Sequence, residues 1–408
     1  MSMTLVNIVS SINIKGGVTS PKGFFSGGTH CGLRRKKLDF GWLYSSVPAK
    51  AAAVYTQNAF QAAPLKVTQE SIAEEQKLQL IVVNSANANA CTGKQGLENA
   101  RLTRKYAAEE AGLPEHLVAV QSTGLIGVQL PMDKVETGIR SINLASQDAA
   151  SFERAILTTD TCTKHASVEC EIEGKQVTIG GAAKGSGMID PNMATMLAYI
   201  TTDADVSQDA LKSLLKKTTD KTYNQITVDG DSSTNDTVVV LANGAAGTTE
   251  LDESHPEWGA FEEAFTKLSQ ELAKKIARDG EGATKLIEVQ IEGAATPADA
   301  GKIAKSIISS NLVKTAIHGA DPNWGRIVCA AGYSGASMKS EAVDVYLGPI
   351  QVVSEGLPLD FDEPEASAYL TQSDIHIKVK LEDGTGAAQA WGCDLSYEYV
   401  RINASYRT

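Results

Sequence analysis

The chain has 408 residues, enough for two or three domains or for one large core with a smaller partner. Its 42% hydrophobic and 21% charged residues suit a globular enzyme and exclude a fibrous or disordered chain. Thirty-seven basic against 49 acidic residues leave a net charge of −12, which argues against nucleic acid as a partner, and no window approaches the roughly 18 apolar residues of a membrane span.

The opening MSMTLVNIVSSINIKGG lacks the positive start and long apolar stretch of a secretory signal. Cys31, Cys91, Cys162, Cys170, Cys329 and Cys393 are scattered without a C-x-x-C pair, and the histidines show no ligand spacing, so no metal is expected. Reduced thiols in a cytoplasmic compartment follow. The run Arg34, Arg35, Lys36, Lys37 reads as a solvated turn before a strand.

In chain order, LQLIVV at 78–83 predicts a buried strand, and 176–179 a second. An apolar run through Leu197, Ala198 and Ile200 predicts a third. Ser207 is a candidate N-cap for a helix over 208–217, with Leu211, Leu214 and Leu215 on one face. TVVVL at 237–241 is strand-like. Phe261, Phe265, Leu268, Leu272 and Ile276 recur at helical intervals over 261–278, and the pattern stops at Gly280. Strand 286–291 precedes a helix after Pro297 that turns Ile303, Ala304, Ile307 and Ile308 inward. Strands at 343–347 and 375–381 follow, the latter alternating Ile375, Ile377, Val379 and Leu381 with polar residues. No repeat or low-complexity linker interrupts this mixed α/β pattern, and topology stays open.

The segment 184–197, KGSGMIDPNMATML, is the most informative. Glycines at 185 and 187 and a proline at 191 loosen the approach to a small residue, Ala194, and then to Thr195. A threonine hydroxyl is a weak nucleophile that needs a base beside it. Its own α-amine, titrating near about 8, can serve once the preceding peptide bond is cut. Read without that chemistry, Thr195 is a β-branched residue opening a strand.

The string KGSGMIDPNMATMLAYITTDA at 184–204 resembles the signature of the bifunctional ornithine acetyltransferase/N-acetylglutamate synthase family. So do, in order, TQNAFQAAP at 56–64, NSANANACTG at 84–93, STGLIGVQLPM at 122–132, TTDT at 158–161, DGDSSTND at 229–236, DGEGATK at 279–285, HGADPNWGR at 318–326 and RINASYRT at 401–408. The resemblance spans essentially the whole chain. It implies an α-β-β-α layered sandwich core, roughly 1–285, with a smaller C-terminal α/β portion, roughly 286–408. It also implies self-cleavage between Ala194 and Thr195 into chains 1–194 and 195–408, paired as a heterotetramer of two α and two β chains. The activity implied is acetyl transfer from N-acetylornithine to glutamate through an acetyl ester on Thr195, without a cofactor. Whether acetyl-CoA also serves as acetyl donor stays open.

By the same resemblance Thr123 and Gly124 form an oxyanion hole, and Thr158, Lys184, Thr195, Glu281, Asn403 and Thr408 contact substrate. Each has a plainer reading: STG as a tight turn, Lys184 as a solvated lysine on the loop, Glu281 as a residue following a helix C-cap. Which threonine of TTDT turns inward is not settled by the string. A terminal motif is wasted if the end frays, so the tail is expected to be ordered, with Ile402 and Tyr406 as anchors. Two rival motifs fall short: GAAKGS at 181–186 lacks the P-loop order, and GYSGA at 332–336 lacks the final glycine of a hydrolase elbow. A self-processing aminopeptidase or amidohydrolase, with water in place of glutamate, remains the alternative enzyme.

Overall fold

The computed structural model of the chain describes residues 12–190 and 196–405. Fifteen strands form two mixed sheets among the described residues. The first holds β1 (Phe24–Thr29), β2 (Phe40–Tyr55), β3 (Lys77–Asn84), β4 (Val118–Ser122), β5 (Lys164–Ile172), β6 (Lys175–Lys184), β7 (Leu197–Thr202) and, after the short β8 (Ile226–Thr227), β9 (Thr237–Ala242). Its order is β4-β3-β2-β9-β7-β6-β5, with β1 on β2. The second joins β8 to β10 (Leu286–Ala294), β11 (Asp344–Leu347), β12 (Ile350–Ser354), β13 (Leu357–Pro358), β14 (Asp374–Lys380) and β15 (Gly386–Cys393), in the order β13-β12-β11-β14-β10-β15-β8. The mixed α/β class expected from the sequence is what forms.

Helices cover these sheets: α1 (Ala63–Glu75), α2 (Gly93–Ala111), α3 (Met132–Arg140), α4 (Ala149–Ala155), α5 (Gln208–Lys221), α6 (Trp258–Arg278), α7 (Pro297–Ser309), α8 (Asn311–His318), α9 (Trp324–Gly332), α10 (Glu363–Tyr369) and α11 (Tyr397–Ser405). None of the described helices is long and apolar enough to cross a membrane. Ser207 does cap α5, accepting from Ala210 N–H, although the helix runs past 217 to Lys221 because Thr218 and Thr219 are also buried. The helix expected over 261–278 begins at Trp258, whose ring packs on Phe261 at 5.8 Å. The expected strand 176–179 extends to 175–184. Glu173 and Gly174, both at positive φ, turn the chain tightly enough to pair all of β5 with β6.

Strand β7, expected from its apolar run, is buried along its whole length between β6 and β9. On one face Tyr199 meets Phe152 of α4 edge-on at 5.2 Å. On the other, Ala198 and Ile200 share a core with Phe261, Phe265, Leu268 and Leu272 of α6. Helix α6 lies against β5 and β6 of the first sheet and β15 of the second, which brings its C-terminal end beside the start of β7. GYSGA at 332–336 follows the end of α9 as an exposed turn, not a strand-to-helix elbow.

Leu268 is fully buried on α6. Leu268→Ala is expected to lower unfolding free energy by about 2–5 kcal/mol in urea titration; a change below about 1 kcal/mol would contradict the tight seam between α6 and the first sheet.

Candidate active site

Residues from distant parts of the chain enclose a cavity of about 260 Å³. Thr123, Gly124, Thr158, Lys184, Met196, Glu281 and Asn403 all line it, with Thr159, Asp229, Asn235, Asp236 and Tyr399. Ala194, Thr195, Tyr406 and Thr408, singled out from the sequence, lie outside the described residues. The cavity reaches their neighbour Met196 and the C-terminal Asn403.

The hairpin leading to this cavity is built by register. Lys184 pairs with Leu197 across β6 and β7, so it is the buried last residue of a strand and not a lysine on a loose loop. The described part of the lead-in is held, not slack. Met188 and Ile189 N–H donate to the two carboxylate oxygens of Asp229 at 2.7 and 2.8 Å. Ile189 carbonyl accepts from Val228 N–H at 2.7 Å. Gly187 serves close approach, because a Cβ there would stand 2.4 Å from the Glu281 carboxylate.

Beneath Lys184 lies a buried ion network. Lys164, fully buried, donates to Asp160 at 2.7 Å and to Asp279 at 2.5 Å. Asp160 also accepts from Gly185 N–H at 2.7 Å and Thr158 N–H at 3.0 Å, and stands 3.9 Å from the Lys184 ammonium. Burial alone would push the Asp160 carboxyl up. Lys184, Lys164 and the Gly185 N–H more than offset it, holding it well below the usual carboxylate range. Of the TTDT threonines, Thr158 and Thr159 line the cavity, while Thr161 turns away and donates through both N–H and hydroxyl to Asp279.

Arg34 corrects the reading of the basic run as mere solvation. Its guanidinium donates to the carbonyls of Leu157 at 2.6 Å and Thr158 at 3.2 Å, bracing the same segment. Arg35, Lys36 and Lys37 are exposed.

On the opposite side the turn after β4 presents Thr123 and Gly124. Gly124 has φ +126° and a Cβ would meet the Ala86 carbonyl at 2.2 Å, so only glycine fits. Thr123 N–H is committed to Asn84 O at 3.0 Å. Neither the Thr123 hydroxyl nor Gly124 N–H has a hydrogen-bond partner among the described residues, which leaves two donors free at the cavity. Glu281 is 8% exposed, hung by its N–H on Ser186 O at 2.9 Å, and its carboxylate accepts from the Asn403 amide at 2.8 Å. Asn403 sits on α11, where the sequence suggested only an ordered tail. Ile402 is half-buried, and Ser396, donating to Gly282 O at 2.6 Å, and Tyr399, donating to Asp229 at 3.2 Å, fasten this helix.

Sequence reasoning assigned no role to Asp160, Asp229, Asn235, Asp236 or Asp279, although all five fall inside strings that carried the resemblance. Asp236 is 3% exposed and one of its carboxylate oxygens has no partner among the described residues. Burial pushes this carboxyl well up, and Lys184 only partly opposes that.

Two expectations follow. Asp160→Ala leaves Lys164 half-compensated in the interior and should cost about 3–5 kcal/mol in denaturant unfolding. For Asp236 the folded-state pKa lies above the unfolded value, so the penalty of its charge grows as pH rises above about 3.9. Asp236→Asn should therefore raise Tm at pH 8 and lose that advantage near pH 4 in calorimetric scans; a lower Tm at pH 8 would show the carboxylate to be favourably paired.

Residues 26–408 match the ArgJ family. A protein of Oceanobacillus iheyensis named Arginine biosynthesis bifunctional protein ArgJ is 60% identical over 408 residues, covering 100% of both chains. Its namesake from Geobacillus kaustophilus is 58% identical over 395 residues, 96% of each. A crystal structure of Arginine biosynthesis bifunctional protein argJ from Bacillus halodurans aligns with a TM-score of 0.50 at 53% identity, covering 51% of this chain and 98% of that one. Matched along nearly its whole length, the chain belongs to the ArgJ family.

Proposed function

We propose that this protein is an arginine-biosynthesis acetyltransferase that moves an acetyl group from N2-acetylornithine to glutamate by way of an ester on Thr195. The observation carrying this reading is the convergence of Thr123, Gly124, Thr158, Lys184, Glu281 and Asn403, from five separate segments, on one cavity that Met196 also lines. Its volume of about 260 Å³ lies just below that of drug-sized ligand sites, which run from about 300 Å³ upward, and suits an amino acid.

Maturation comes first. The Thr195 hydroxyl attacks the Ala194 carbonyl, the amide becomes an ester, and water releases chain 1–194 from chain 195–408 with a free α-amine on Thr195. The aligned Bacillus halodurans chain, 98% covered yet matching 51% of this one, is what a chain bounded by such a cut would look like. The chains would then associate as two α and two β in the cytoplasm.

In turnover the new amine takes the hydroxyl proton as Oγ attacks the acetyl carbonyl. Thr123 hydroxyl and Gly124 N–H receive the oxyanion. The proton passes to the departing α-amine of ornithine. The α-amine of glutamate then attacks the acetyl ester and restores Thr195. Lys184 would meet a substrate carboxylate. Glu281, hydrogen-bonded by Asn403, would meet a cationic amine, with Thr158 and Thr408 as further contacts. Exchanging one acetyl amide for another is nearly balanced, so the scheme needs no cofactor. Acetyl-CoA would enter as a second acetyl donor, in line with the word bifunctional in the relatives' names.

Intact mass of the purified protein should give fragments ending at Ala194 and starting at Thr195. Thr195→Ala should stay whole and lose at least about 1,000-fold in transfer. Initial rates with both substrates varied should give the parallel double-reciprocal lines of a shared covalent intermediate. Donor hydrolysis equal with and without glutamate would replace the transferase reading by a hydrolase.

A further inference from the structure

Asn235, in the loop before β9, joins two parts of the site that the sheet does not connect directly. Its side-chain amide donates to the carbonyl of Ser122 at 2.8 Å, immediately before Thr123 and Gly124, and to the carbonyl of Ala88 at 2.6 Å in the loop that flanks that turn. The amide cannot flip without loss, because its own oxygen accepts from the Thr234 hydroxyl at 2.6 Å. On the other side, Asn235 carbonyl accepts from the Thr237 hydroxyl at 3.2 Å, and Thr237 N–H donates to Met196 carbonyl at 2.8 Å. Thr237 pairs with Leu197 as β9 runs parallel to β7.

The turn is also tied toward β9 by way of its neighbouring loop, where Ala62 N–H donates to Thr234 O at 2.9 Å and Ala63 N–H to Asn89 O at 3.1 Å. It is laced to the loop 84–90 by Leu125 N–H to Ala86 O at 2.9 Å and Ala88 N–H to Leu125 O at 2.8 Å. Those bonds fix it within its own loop pair and say nothing of β7. Asn235 is 3% exposed, and both of its amide hydrogens point across this gap.

We infer that Asn235 is a positioning residue that sets the separation between the Thr123–Gly124 donors and the start of β7, through its two amide bonds to Ser122 O and Ala88 O. The inference rests on the acetyl-transfer reading, because it matters only if an oxyanion forms between those two places. A displacement of about 1 Å in such an arrangement costs on the order of 100-fold in rate, and loss of an oxyanion donor costs about as much.

The test compares Asn235→Asp, which keeps the shape and removes both donors, with Asn235→Ala and with Leu268→Ala, a truncation in the core that α6 shares with β7. Each protein is checked for fold by circular dichroism and Tm, and kcat is normalised to the cleaved fraction measured by intact mass. The two Asn235 variants should lose about 10- to 100-fold in kcat with KM for N-acetylornithine changed by less than about threefold, while Leu268→Ala keeps kcat within about threefold at a comparable fall in Tm. Thr234→Val, which frees the amide to rotate, should show a smaller loss in the same direction. Equal kcat losses in the Asn235 and Leu268 variants would overturn the inference, as would a loss confined to KM. So would failure of both Asn235 variants to fold while Leu268→Ala folds, since Asn235 would then be a folding residue. Absence of acetyl transfer in the unaltered protein would instead remove the underlying reading.

Discussion

The buried ion network of Lys164 with Asp160 and Asp279 is the constraint around which the site is arranged. An ammonium with no exposure is tolerable only when its charge is matched and its hydrogens are used, and Lys164 meets both conditions through two carboxylates and the Cys162 carbonyl. Those carboxylates come from the segment before β5 and the end of α6. Satisfying Lys164 therefore draws together the TTDT loop, the first strand of a hairpin and the last turn of a long helix. Asp160 extends the same network to Gly185 N–H and toward Lys184, so the end of β6 is fixed by charge matching as well as by strand pairing.

A second arrangement, neutral and made of amides, holds the other wall. Asn84 accepts from Ala86 and Asn87 N–H and donates to the Ser122 hydroxyl at 2.7 Å, and Asn89 and Asn235 continue the pattern. Side-chain amides suit this work because they offer donors and an acceptor without the desolvation cost of a charge. The cavity thus has an ionic side of cations and carboxylates and a neutral side that presents Thr123 and Gly124. Glu281 and Asn403 close it from the C-terminal part of the chain.

Much of the scaffold was legible from periodicity. The strand 78–83, the helix over 261–278 and the alternating strand near 375–381 are long or regular enough for their pattern to stand out. Strand β2 was not, since its run of small residues, AKAAAVY, resembles a helix as much as a strand and is committed by pairing with both β3 and β9. Helix α11 was missed because none of its residues is buried, so it has no apolar stripe to betray it. Lys184 was placed on a loop because glycines follow it, whereas the antiparallel register with Leu197 makes it a strand end.

By itself the sequence determined the mixed α/β class, the apolar faces of the longer elements and, through motif strings in fixed order, the family and six of the residues that meet in the cavity, Thr123, Gly124, Thr158, Lys184, Glu281 and Asn403. These depend on local propensity and on residue type at each position, which a linear string carries. Tertiary structure alone decided that Thr158 and Thr159 face inward while Thr161 serves Asp279, that Arg34 braces rather than solvates, and that Asn235 spans from β9 to the Thr123 turn. Each of those outcomes depends on which distant group stands within hydrogen-bond reach, about 3 Å, and sequence spacing holds no record of that distance.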